Sequence, residues 1–147
     1  MADPLFKRWA GLMVACMGLV LAHSACRKEQ NPTVPITPVD FSINVNNPSY
    51  ADIQVPGGWV YLTGGSSGII VYRKTTDEFV ALDRLCTFQT QNSCRVHVDD
   101  SQVIAQDTTC CGSKFLLLDG TVTQGPAQIG LIRYNTSFNG TILRIWN

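Results

Sequence analysis

The chain has 147 residues, 11 basic against 11 acidic side chains and 45% apolar residues, and it carries six cysteines. That length allows one compact domain, and a formal net charge of zero gives no electrostatic basis for a nucleic-acid partner. Only the cysteine content stands out for so short a chain.

Residues 1–25 read as a signal peptide rather than as fold. Lys7 and Arg8 precede the apolar run 9–22, "WAGLMVACMGLVLA", which is short for a bilayer span and suits a secretory h-region. "HSAC" then sets Ser24 and Ala25 before Cys26 and resembles the cleavage and lipidation site of bacterial lipoproteins, with His23 in place of the usual aliphatic residue. Cys26 is therefore expected to be the lipid-bearing first residue of the mature protein. Cys16 also follows an alanine, but cleavage there would cut the h-region in two. The alternative is an anchor kept uncleaved. A lipidated chain would sit in the bacterial cell envelope, attached to the membrane through its N-terminal lipid and facing the periplasm or the outside.

Residues 26–40 follow as a tether: prolines at 32, 35 and 38 and no apolar periodicity mark an extended segment that starts no core. From Phe41 on, the signals are strand and turn. "FSINV", "GGWVYLTGG", "SGIIVYRKT", "DEFVALDRL", "RVHVDDSQVIAQD", "SKFLLLDGTV" and "LIRYNTSFNGTILRIWN" are rich in β-branched and aromatic residues and are punctuated by Gly, Asn or Asp. Asn139-Gly140 between two such runs is a strong hairpin signal. No segment has a helical period, so residues 41–147 are expected to form one all-β domain.

The envelope is a compartment where disulfides persist. Removal of the signal discards Cys16, lipid takes Cys26, and Cys86, Cys94, Cys110 and Cys111 remain, an even set. The adjacent pair in "TTCCGSKF" is open to three readings: metal ligands, a redox pair, or halves of two separate disulfides.

"GIIVYRKTTDEFVALDRLCTF", then "CCGSKFLLLDG" and "GPA" at 125–127, resemble a Rieske domain over about two thirds of the chain. The resemblance implies stacked antiparallel sheets, with two cysteine loops forming a small inserted subdomain at one end and a proline loop covering it from a third side. It also implies a 2Fe-2S cluster held by two thiolates and two imidazoles. This chain departs from that pattern. The first thiolate position falls on Cys86, but the first imidazole position falls on Phe88. In the second loop the thiolate position falls on Thr108 and the imidazole position on Cys111. The chain has two histidines in all, His23 in the signal and His97 between two valines, where an outward-facing strand residue is expected. An ordinary Rieske site is thereby excluded.

In many Rieske domains a disulfide ties the two loops, and its second-loop cysteine lies between the ligands. By that resemblance Cys110 pairs with Cys94. Cys86 and Cys111 would occupy two ligand positions that the fold brings together, and the expectation is a second bridge between them. A bond between Cys110 and Cys111 themselves would strain the intervening peptide. The expected cofactor is none, and the expected role is that of a disulfide-stapled structural or binding module for an unidentified protein or small molecule. The alternative is a 2Fe-2S electron-transfer protein ligated by Cys86, Cys94, Cys110 and Cys111, against which stand the divergent directions of neighbouring cysteines. The same geometry and the lack of paired histidines disfavour zinc. Thiol exchange lacks a C-x-x-C and a helix N-terminus, although Lys114 is near.

Other chemistry is thin. Asp99-Asp100 suits a hairpin turn better than a calcium site, and Trp59, Tyr61 and Tyr72 suit sheet packing. The N-glycosylation patterns at Asn135 and Asn139 carry no weight in a bacterial chain. No triad or carboxylate pair supports hydrolysis.

Overall fold

The computed structural model describes residues 33–147. The expected signal peptide, Cys26 and the start of the tether lie outside the described residues. Ten strands follow in order: β1 (Asp40–Asn44), β2 (Trp59–Leu62), β3 (Ile69–Arg73), β4 (Phe79–Asp83), β5 (His97–Val98), β6 (Ile104–Gln106), β7 (Lys114–Leu116), β8 (Val122–Gln124), β9 (Arg133–Phe138) and β10 (Ile142–Trp146). They form a six-stranded sheet in the order β1-β10-β9-β4-β3-β2 and a four-stranded sheet in the order β5-β6-β7-β8, with antiparallel pairing throughout. The small sheet is inserted between β4 and β9, so a long excursion separates two strands that pair directly, Ala81 opposite Tyr134.

Every residue of β3 and β4 is buried, and alternation explains why. Ile70, Tyr72, Val80 and Leu82 face one core, where Val96, Ala105, Phe115 and Leu117 meet them from the small sheet and its flanks. Ile69, Val71, Phe79 and Ala81 face a second core with Ile43, Tyr134, Leu143 and Ile145, because the large sheet curls over on itself. A strand buried on both faces needs no polar positions, which is why "IIVY" and "FVAL" are apolar runs.

Two buried charged residues tie the edges of this sheet. Asp83, 2% exposed, accepts from the Ser66 and Ser67 N–H groups at 2.6 and 3.2 Å, from the Leu85 N–H at 2.8 Å and from the Tyr134 hydroxyl at 2.7 Å. Arg73 donates to the Ile53, Gln54 and Thr75 carbonyls at 3.1, 2.7 and 3.2 Å and lies over the Phe79 and Phe138 rings.

Outside the two cysteine loops, the structure departs from the sequence expectations at two places. Val39, placed in the tether, is buried in the second core; its N–H donates to Asn147 Oδ1 at 3.0 Å, and the Asn147 N–H returns to its carbonyl at 3.2 Å. Asn147, just past β10, thus pins the incoming chain one residue before β1. The second is a 3-10 segment at Pro48–Gln54, opened by Asn47, whose side chain accepts from the Ser49 N–H. It buries Ile53 with no helical period in the sequence, since so few turns repeat nothing.

Candidate functional site

Two loops build the site. The first runs from Cys86 to Arg95, between β4 and β5, and is closed at its neck by the Cys86 N–H donating to the Cys94 carbonyl at 2.8 Å and by the Leu85–Arg95 bridge. The second, 107–113, joins β6 to β7. Asp107 organises it: its N–H reaches the Ser113 carbonyl and its own carbonyl receives the Gly112 N–H, both at 2.9 Å, while Oδ1 accepts from the Thr109 and Cys110 N–H groups at 3.0 and 2.9 Å. Gly112 takes a positive φ of 76°, open to glycine at no steric cost, and turns the chain back toward β7.

This loop shape sends the adjacent cysteines in different directions. Cys110 forms a disulfide with Cys94, Cα atoms 6.3 Å apart, as expected from the resemblance. Cys111 faces Cys86 instead. The second bridge expected there is not formed: both residues are thiols, with sulfurs 3.5 Å apart against about 2.05 Å for a bond. The Cys111 sulfur is held off by its other partners, Asp107 Oδ2 at 3.2 Å and Ser113 Oγ at 3.0 Å. The Ser113 oxygen in turn accepts from the Ala127 N–H at 2.9 Å, so the loop of "GPA" covers this corner as the third side.

Cys86 and Asp107 are fully buried, and Cys111 is half-buried. Burial pushes the Cys86 thiol up to about 12, against the Phe88 N–H, which favours the thiolate. Burial also works against the Asp107 charge, but the N–H groups of Cys110 and Thr109 and the Cys111 thiol outweigh it and hold the carboxyl below its ordinary range. A thiol so raised is a poor nucleophile at neutral pH, which weighs against thiol exchange at Cys86.

Of the residues that the resemblance sets at ligand positions, Phe88 packs against the first core and Thr108 is exposed. His97 is exposed, with Nδ1 3.1 Å from Arg84 Nη2, and takes no part in the cysteine cluster. The four-ligand set of a 2Fe-2S cluster does not fit: Cys94 and Cys110 are bonded to each other, and two thiols and one carboxylate remain. Sequence reasoning missed Asp107 and Ser113. The signal for Asp107 was its place just before "TTC", where an Asp side chain can accept from N–H groups two and three residues on.

No family model matches the chain, and no curated protein matches it in sequence. Among solved structures, the cyanobacterial plasma membrane Rieske protein PetC3 from Synechocystis PCC 6803 is similar, with a TM-score of 0.55 and 21% identity over 71% of this chain and 99% of that one. The ferredoxin of carbazole 1,9a-dioxygenase from Nocardioides aromaticivorans IC177 gives a TM-score of 0.49 and 16% identity over 75% of this chain and 97% of its own. The likeness to the Rieske protein shows a Rieske-like fold, all-β with antiparallel sheets, as expected. Among the described residues no helix is long and apolar enough to cross a membrane.

Proposed function

We propose that this chain is a lipid-anchored protein of the bacterial cell envelope whose Rieske-like domain has lost its 2Fe-2S cluster and serves as a disulfide-stapled structural or binding module. The observation that carries this reading is the Cys94–Cys110 bridge beside Phe88 and Thr108: two of the four sulfurs are spent on each other, and two ligand positions hold residues that bind no iron. The bridge ties the two loops without a metal. Cross-linking a 16-residue separation contributes about 3 kcal/mol by the chain-entropy argument. The anchor rests on the sequence, on "HSAC" and the proline-rich stretch after it.

The test is to purify the native protein from envelopes and measure visible absorption, iron and acid-labile sulfide, with intact mass for the N-terminus. Colourless protein without iron or sulfide, beginning at a lipid-bearing Cys26, is the expected outcome. Brown protein with both would overturn the cluster-free part, and a start elsewhere without lipid mass would overturn the anchor.

A further inference from the structure

The residues left over by the disulfide form a compact donor set. Ligating atoms of Cys86, Asp107 and Cys111 all lie within 4.8 Å of one another, one from the first loop and two from the second. The sulfur-to-sulfur distance is 3.5 Å, and Asp107 Oδ2 stands 3.2 Å from the Cys111 sulfur. A tetrahedral zinc with Zn–S bonds of about 2.3 Å and a Zn–O bond of about 2.1 Å needs edges of about 3.8 Å between sulfurs and about 3.6 Å between sulfur and oxygen. The donors are thus within a few tenths of an ångström of the required triangle on both measured edges.

We infer that Cys86, Cys111 and Asp107 bind a single zinc ion, with the fourth position open to water or to a ligand donor from outside the chain. This deepens the binding-module reading and rests on it, since a two-iron cluster at the same loops would claim the same sulfurs. Two soft thiolates and one carboxylate suit zinc, a borderline ion, better than magnesium or calcium, which prefer all-oxygen sets. The vicinal arrangement is no obstacle, because Cys110 is turned away to Cys94 and only Cys111 of the pair points into the site.

The surroundings are already those of a held metal ligand. Asp107 Oδ1 is fixed by two backbone N–H groups, which aims Oδ2 at the Cys111 sulfur. The Ser113 hydroxyl, its oxygen satisfied by the Ala127 N–H, keeps its own hydrogen for that same sulfur, and the Ser113 N–H also points at it from 3.5 Å. Outer-shell bonds of this kind orient ligands and are costly to lose. The disulfide joins the two loops that supply the donors, so they need not be gathered from a floppy state. The Cys111 thiol proton lies against Asp107 Oδ2; zinc would take the space between the two sulfurs and this oxygen, with the protons of both thiols released to solvent.

The experiment uses the full chain extracted in mild detergent, with metals counted per protein as isolated, then stripped with a chelator under anaerobic conditions and titrated with Zn²⁺ and separately with Co²⁺. About one zinc per chain, a tetrahedral cobalt spectrum with thiolate charge transfer, and a zinc-dependent rise in melting temperature are expected. Cys111→Ser should weaken zinc by more than about 100-fold, beyond the usual cost of losing an outer-shell partner, and Asp107→Asn by about 10- to 100-fold. Asp77→Asn, at an exposed position between β3 and β4 and outside both loops, should bind as the parent does and serves as the control. Because the cobalt spectrum of the unaltered chain reports thiolate ligation by itself, the outcome stands even where a cysteine variant fails to fold. Protein isolated with Cys86 and Cys111 joined to each other, or cobalt bound without thiolate bands, overturns the zinc site and leaves the cluster-free reading intact. Iron with acid-labile sulfide overturns both.

Discussion

The two sheets of this domain are held together by different physics. The six-stranded sheet has strands of four to six residues, and its centre, β3 and β4, is buried on both faces. The four-stranded sheet has strands of two or three residues, one apolar face and a bulge between Lys114 and Phe115. Hydrophobic burial with the buried polar nodes of Asp83 and Arg73 carries the first, whereas the second borrows one face from the first core and a covalent bond from its own loops. A region too short to bury both faces of its strands is where the cysteines are needed.

The contrast breaks most severely at Asp83. Asp83→Ala removes the acceptor of three backbone N–H groups and one hydroxyl in a buried setting, and each orphaned donor costs about 1–3 kcal/mol. Urea unfolding should show a loss of at least about 3 kcal/mol, with both sheets lost together. A loss under about 1 kcal/mol would mean that the large sheet does not depend on this node.

Next is the staple. Replacing Cys94 and Cys110 together by serine should lower the free energy of local opening of the four-stranded sheet by up to about 3 kcal/mol. Hydrogen exchange should quicken at β6 and β7 while the amides of β3 and β4 keep their protection until global unfolding. Uniform quickening across both sheets would contradict the division of labour drawn above.

A smaller effect lies on Tyr134, whose hydroxyl is pushed well above its ordinary range, first by burial and then by its bond to the Asp83 carboxylate. The fold favours the protonated phenol, so the contribution is complete below the unfolded value of about 10 and is lost as pH rises beyond it. Stability should therefore fall above about pH 10 by more than other tyrosines explain. Tyr134→Phe should flatten that fall and cost about 1–2 kcal/mol at neutral pH.

The large sheet was legible because its cues are local. Apolar runs in β3 and β4, alternation in β10 and the Asn139-Gly140 turn need no distant partner to be read, and the turn has the expected form, with Asn139 Oδ1 accepting from the Thr141 and Ile142 N–H groups. Val39 was not legible, since its burial depends on Asn147, 108 positions away. The site divides in the same way. Cys94 with Cys110 followed from a resemblance to a family with a tied pair of loops. The state of Cys86 and Cys111 did not, because it is set by Asp107 and Ser113, whose side chains reach the Cys111 sulfur only after the second loop has closed. Phe88 and Thr108 could be placed by motif position, but that Phe88 joins the core while Thr108 faces solvent is decided by packing.

The central claim is that the four cysteines of the domain are divided into one bridge and one pair of thiols rather than gathered around a cluster. Native protein labelled with one alkylating reagent, then unfolded in the presence of a chelator and labelled with a second, tests this by peptide mass spectrometry. The account predicts a peptide pair joined through Cys94 and Cys110, and Cys86 and Cys111 carrying only the second label. Cys94 and Cys110 recovered as alkylated thiols, without any reductant added, would contradict it.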